Sequence, residues 1–146
     1  MLIIMKYIIN NNKIFISLQT GDEIIESITS ILKKEKIHSG MINGIGAINQ
    51  VELGFYNLES KKYKKELFND DYELTSLMGN ITLKDEKPFV HIHINMSDNN
   101  FRVLGGHLFS AVTAASAEVI ILLDDKSIKR ELDQNVGLYL WDFNCG

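Results

Sequence analysis

The chain has 146 residues, 45% of them hydrophobic and 23% charged, values that suit one globular domain with one core and exclude disorder. A net charge of −4 and a pI near 5.5 exclude a surface that grips a nucleic-acid backbone over a wide area, while leaving room for a local basic patch. A lone cysteine, Cys145, allows no internal disulfide and fits a reducing, cytoplasmic setting.

The opening stretch from Met1 to Asn10 is apolar but broken by Lys6, so it lacks the form of a signal peptide. No later run approaches a spanning length, and no membrane association is expected. Ile3 to Ile9 and Lys13 to Leu18 read as two short strands about the turn Asn10-Asn11-Asn12. Thr20-Gly21-Asp22-Glu23 then has capping-box spacing, with Thr20 as N-cap and Glu23 reaching back. Ile24, Ile25, Ile28, Ile31 and Leu32 follow at helical spacing, and Lys33, Lys34 and Lys36 gather at the end that favours cations.

From there the pattern turns to strands: 39–48, 51–56, 63–68, 73–83, 89–96, about 108–115, 118–123 and 137–143. Ser97-Asp98-Asn99-Asn100 signals a hairpin turn. Pro88 stands where a strand start tolerates it. Many closely spaced strands and one clear helix predict an α+β domain with a mainly antiparallel sheet.

Three of the four histidines cluster in Phe89-Val90-His91-Ile92-His93-Ile94 and Gly105-Gly106-His107-Leu108. Alternation along a strand puts Phe89, His91, His93 and Asn95 on one face, and Val90, Ile92, Ile94 and Met96 on the other. A glycine pair lets the backbone bend or approach another strand closely, so His107 can join the other two. Three neutral imidazoles with an open position suit zinc. Read singly, His-x-His is more often the wet face of a half-buried strand; the third histidine makes metal and plain solvation equal contenders. Glu73 and Glu118, each inside an apolar strand pattern, are the candidate proton carriers beside ordinary solvation of a strand face.

Asn43-Gly44-Ile45-Gly46-Ala47 fails as a dinucleotide fingerprint, because Asn49 replaces the third glycine and the flanks are strand-like. Gly44 and Gly46 instead predict a bulge or close backbone approach. Lys61-Lys62-Tyr63-Lys64-Lys65 fits a lysine-guarded edge strand better than a nucleic-acid patch, with Glu59 and Glu66 diluting its field. Of two arginines, Arg102 and Arg130, only Arg102 is near the histidines in sequence. No serine sits in a nucleophile elbow, and Cys145 is terminal.

The ordered series Gly21-Asp22-Glu23, Ile45-Gly46-Ala47, Leu53-Gly54-Phe55-Tyr56, Tyr72 through Asn80, Pro88 through His93, Gly105-Gly106-His107-Leu108 and Ala117-Glu118-Val119 resembles the plants-and-prokaryotes-conserved (PPC) domain. His-x-His with Gly-Gly-His matches its bacterial and archaeal metal-containing branch. The resemblance covers about residues 13–143 of a single domain, 1–146. It implies a curved, mainly antiparallel sheet with one principal flanking helix, assembled as a homotrimer. It also implies zinc, or another divalent transition metal, on His91, His93 and His107. The family function it suggests is a DNA-associated regulatory module, although the chain carries no Arg-Gly-Arg-Pro hook. The fold is similar as well to that of α-acetolactate decarboxylase. That likeness implies an alternative, a zinc-dependent lyase or decarboxylase-like enzyme acting on a small carbonyl or carboxylate compound.

Overall fold

A computed structural model describes residues 6–144. Its elements are β1 (Lys6–Asn10), β2 (Lys13–Gln19), α1 (Ile24–Lys34), β3 (Gly40–Asn57), β4 (Lys62–Phe68), β5 (Tyr72–Lys84), β6 (Lys87–Ser97), β7 (Val103–Leu123), β8 (Lys129–Asp133) and β9 (Leu138–Asp142). The expected strand start at Ile3 and the terminal Cys145 lie outside the described residues.

Alternation explains the strands. In β2, Ile14, Ile16 and Leu18 are buried while Lys13, Phe15 and Ser17 are not. In β6, Ile92, Ile94 and Met96 enter the core as the period of two requires. The helix adds Ile24, Ile28, Ile31 and Leu32 to the same core, each fully buried aliphatic contributing about 2 kcal/mol. Ile25 is only partly buried against it.

The helix begins three residues later than a Thr20 cap would place it. Glu23 is the N-cap: its carboxylate accepts from the Glu26 amide at 2.6 Å and from the Ala111 amide at 3.0 Å. Thr20 donates to the Ala115 carbonyl instead. One glutamate thus caps α1 and ties it to β7.

The sheet is antiparallel apart from one parallel bridge, between Leu83 of β5 and Lys129 of β8. Residues 39–48 and 51–56, read as two strands, are one long β3, and 108–115 with 118–123 are one β7 that starts at Val103. Bulges make the difference. The register slips between Gly44 and Gly46, between Gly46 and Ile48, and between Asn49 and Glu52, and Gln50 has φ +47°. Each slip bends the strand without ending it. The bends let β3 pair with β5, β5 with β6, β6 with β7 and β7 with β3, so four strands close a ring around the core. The β8–β9 hairpin hangs from β5, and its tip is held by the Tyr56 hydroxyl donating to the Val136 carbonyl at 2.7 Å.

Candidate metal centre

His91 and His93 come from β6 and His107 from the start of β7, with His93 and His107 directly paired across the two strands. Directly opposed residues share a face, so the register alone collects the three rings. One nitrogen from each lies within 4.8 Å of the others. Ring centroids are 5.0 Å apart for His91 and His93, 5.2 Å for His91 and His107, and 5.4 Å for His93 and His107. His93 is exposed and the other two are half-buried, so the cluster opens to solvent on the His93 side.

The glycine pair works by close approach rather than by bending, since β7 runs straight through it. A Cβ on Gly105 would stand 2.7 Å from the Ile94 carbonyl oxygen, and one on Gly106 3.0 Å from that of Gly54. Gly54 makes room as well: a Cβ there would meet the Phe109 ring at 2.3 Å and the Tyr63 ring at 2.9 Å. Those two rings wall the site, with centroids 4.8 Å and 5.1 Å from His107. Tyr63 is therefore turned inward and does not offer a ring for stacking on a base, and burial raises its phenol pKa.

Burial pushes the His91 imidazole down to about 4, helped by the Arg130 guanidinium and the other two rings. His107 is likewise lowered to about 4, by burial, then by His93 and Lys65. Both rings are neutral at pH 7 and keep a lone pair to donate. The buried Nδ1 of His107 meets no hydrogen-bond partner. An all-imidazole donor set with an orphaned ring nitrogen fits a divalent transition metal.

Arg130, from β8, is the arginine of this site, whereas Arg102 pairs with Asp98 in the β6–β7 turn. Arg130 is only 7% exposed. It donates to Thr82 Oγ1 at 2.7 Å, the Tyr139 carbonyl at 2.9 Å and Asn80 Oδ1 at 2.9 Å, and its Nη2 stands 3.3 Å from His91 Nδ1. Proximity in sequence pointed to Arg102 because the chain gives no sign that β8 folds back onto β5. Tyr63 and Phe109 carried a weak signal: Phe109 follows His107 by two and must share its face.

Glu73 and Glu118 are not brought to the histidines. Both are exposed, and they line one shallow groove of about 460 Å³ with Ile45, Ala47, Thr75 and Ser116. Glu73 sits opposite Ser97 at the far end of β6, and Glu118 lies eleven positions beyond His107 on β7. The lysine run behaves as an edge device. Among the described residues β4 pairs only with β3, Lys65 bonds Glu52 at 3.2 Å and lies over Phe109, Lys64 pairs with Glu66, and Lys61 donates to the Gln134 carbonyl.

The sequence model of the Plants and Prokaryotes Conserved (PCC) domain matches residues 6–123, and this chain belongs to that family. Solved structures agree over nearly the full length. A "putative DNA-binding protein" from Bacteroides thetaiotaomicron is 32% identical, with a TM-score of 0.93 over 96% of this chain and 98% of its own. The metal-containing protein of Archaeoglobus fulgidus is 33% identical, with a TM-score of 0.83 over 94% and 97%. A plant- and prokaryote-conserved protein from Pyrococcus horikoshii is 32% identical, with a TM-score of 0.84 over 97% and 96%. Among curated proteins none matches the chain. No helix of the described residues is long and apolar enough to cross a membrane.

Proposed function

We propose that this chain is a homotrimeric regulatory module of the PPC family, cytoplasmic and DNA-associated, that holds a divalent transition metal, zinc by preference, with His91, His93 and His107. The observation that carries the reading is the convergence of three imidazole nitrogens within 4.8 Å, two of them from rings held neutral by burial. The metal-containing relative at 33% identity supports it. DNA as a partner is supported by the description of the Bacteroides relative. The trimer is supported by an apolar sheet face. Register aligns Ile8, Phe15 and Ile120 in one row across β1, β2 and β7, continuing through Asn43 and Met78 to His93. Ile8, Phe15 and Ile120 are exposed side by side, with exposed Met78 beyond the polar Asn43, and an exposed apolar patch of this kind marks an association surface.

His91 and His107 would supply neutral donors fixed by the β6–β7 register, and exposed His93 would close the set from the solvent side. Tyr63 and Phe109 would exclude water from the far side of His107. A bound metal with an open position polarises an oxygen or acidifies a water. The exposed His93 side is the feature that favours a second reading, a zinc-dependent enzyme acting on a small carbonyl or carboxylate compound. In that reading Glu73 and Glu118 stand too far along their strands to move a proton at the imidazoles.

The test is metal analysis and mass measurement on protein purified without added metal. One equivalent of metal per chain in a trimer is expected, with metal lost and the fold retained in His91→Ala. Substoichiometric metal that is unchanged in the variant would sink the reading.

A further inference from the structure

Arg130 presents an electrostatic problem. Its guanidinium is buried, yet its hydrogen-bond partners among the described residues are all neutral: Thr82, the Tyr139 carbonyl, Asn80 and His91. None of the ion pairs found among the described residues includes it. Its Cζ lies over the Phe89 ring at 5.1 Å, and Lys84 lies over that same ring and over Tyr139. On the other side of the cluster Lys65 stands over Phe109. The three imidazoles are thus flanked by cations. A buried charge is normally paired, and the described residues supply no carboxylate to Arg130.

The His91 contact sharpens the point. A guanidinium only donates, so Nη2 depends on a lone pair at His91 Nδ1. If His91 gives Nδ1 to a metal, that lone pair is used. If it gives Nε2, the ring proton moves to Nδ1 and two donors face each other. Either way Arg130 loses an acceptor as a dication arrives beside it. Both changes call for negative charge with lone pairs at the same place.

We propose that the three-histidine site is a metal–anion site, in which Arg130 recruits a small oxyanion such as a carboxylate together with the metal. The inference rests on the metal reading above and names the ligand class that reading leaves open. The cluster is exposed at His93, and Arg130 meets it through Nη2, which contacts Asn80 and His91. Thr82, Asn80 and the Tyr139 carbonyl hold the guanidinium in place as the anion exchanges. Metal and anion then bind with positive coupling, each tightening the other.

The experiment measures zinc affinity by chelator competition in a non-coordinating buffer, with and without acetate or sulfate at fixed ionic strength. Acetate should tighten zinc binding by at least about fivefold, the low end of ordinary coupling between sites. A response to acetate alone assigns a carboxylate, and a response to sulfate as well assigns the wider class of oxyanions. Arg130→Met should abolish the response. Asn80→Asp, which places an internal carboxylate on Nη2, should tighten zinc without any acetate and lose the acetate effect; it also serves if Arg130→Met fails to fold. Zinc affinity in the native chain that ignores both anions, or a response undiminished in both variants, overturns the proposal. Zinc that fails to bind before any anion is added overturns the metal reading instead.

Discussion

His91 and His107 are buried as bases rather than as charges, and this gives the protein an acid sensitivity of definite sign. A histidine in an unfolded chain titrates near 6.5, whereas these two titrate at about 4 in the folded, metal-free protein. Above the higher value both states are neutral and nothing is gained or lost. Between the two values the unfolded chain takes up protons that the folded chain refuses, so stability falls as pH drops through that window. Below the lower value the loss is complete. The melting temperature of metal-free protein should therefore decline from about pH 6.5 towards 4, and His91→Gln should flatten that decline. An identical slope in variant and native protein would show that the rings do not cause it. The same burial explains why the residues are good donors: no proton need leave before a metal can bind.

Glu23 is the clearest case at the scale of elements, because one carboxylate serves both a helix end and a strand. Its two acceptor bonds, to the amides of Glu26 and Ala111, would both be lost in Glu23→Ala. The variant should be less stable by about 1–2 kcal/mol in denaturant unfolding, the usual cost of losing a cap, and Thr20→Ala should cost less. Equal effects would restore Thr20 as the cap. The sequence made α1 legible through its isoleucine period but misplaced the cap: Glu23, expected only to reach back to Thr20, is itself the cap, and its bond to the Ala111 amide of β7 is a contact the local sequence does not reveal. Strand cores were legible wherever alternation held, as in β2 and β6. Their lengths were not, because the bulges around Gly46 and Gln50 interrupt the period in the sequence while the chain stays paired in space. β8 had no signal at all. In Lys129-Arg130-Glu131-Leu132-Asp133 the residue that turns inward is the arginine, which a hydrophobic pattern cannot mark. The three metal candidates were readable because His-x-His survives as a period of two. Arg130, which stands against one of them, was hidden for the reason β8 was.

For the whole molecule, charge decides how DNA association would look. The net charge is −4, and Lys61, Lys64 and Lys65 are turned to the hairpin carbonyl, Glu66, and Glu52 with Phe109. Few phosphate contacts are then available. Binding of a duplex at low salt should weaken with a shallow slope, about −3 in log K against log salt for roughly three contacts, and Lys62→Glu should reduce it. A duplex not retained even at low salt removes DNA as a partner while leaving the metal reading standing.

β7 pairs with β2, β3 and β6 along its length, and this sets an order of events during synthesis. His93 and His107 pair across the short hairpin turn that joins β6 to β7, so the three imidazoles come together as soon as the first residues of β7 have emerged. The pairing of β7 with β2 joins Lys13 to Leu122 and forms late, after its loop-closure entropy has been met. On the metal reading, a nascent hairpin would already carry the whole ligand set before the ring of strands has shut, so that metal capture would precede completed folding rather than report it.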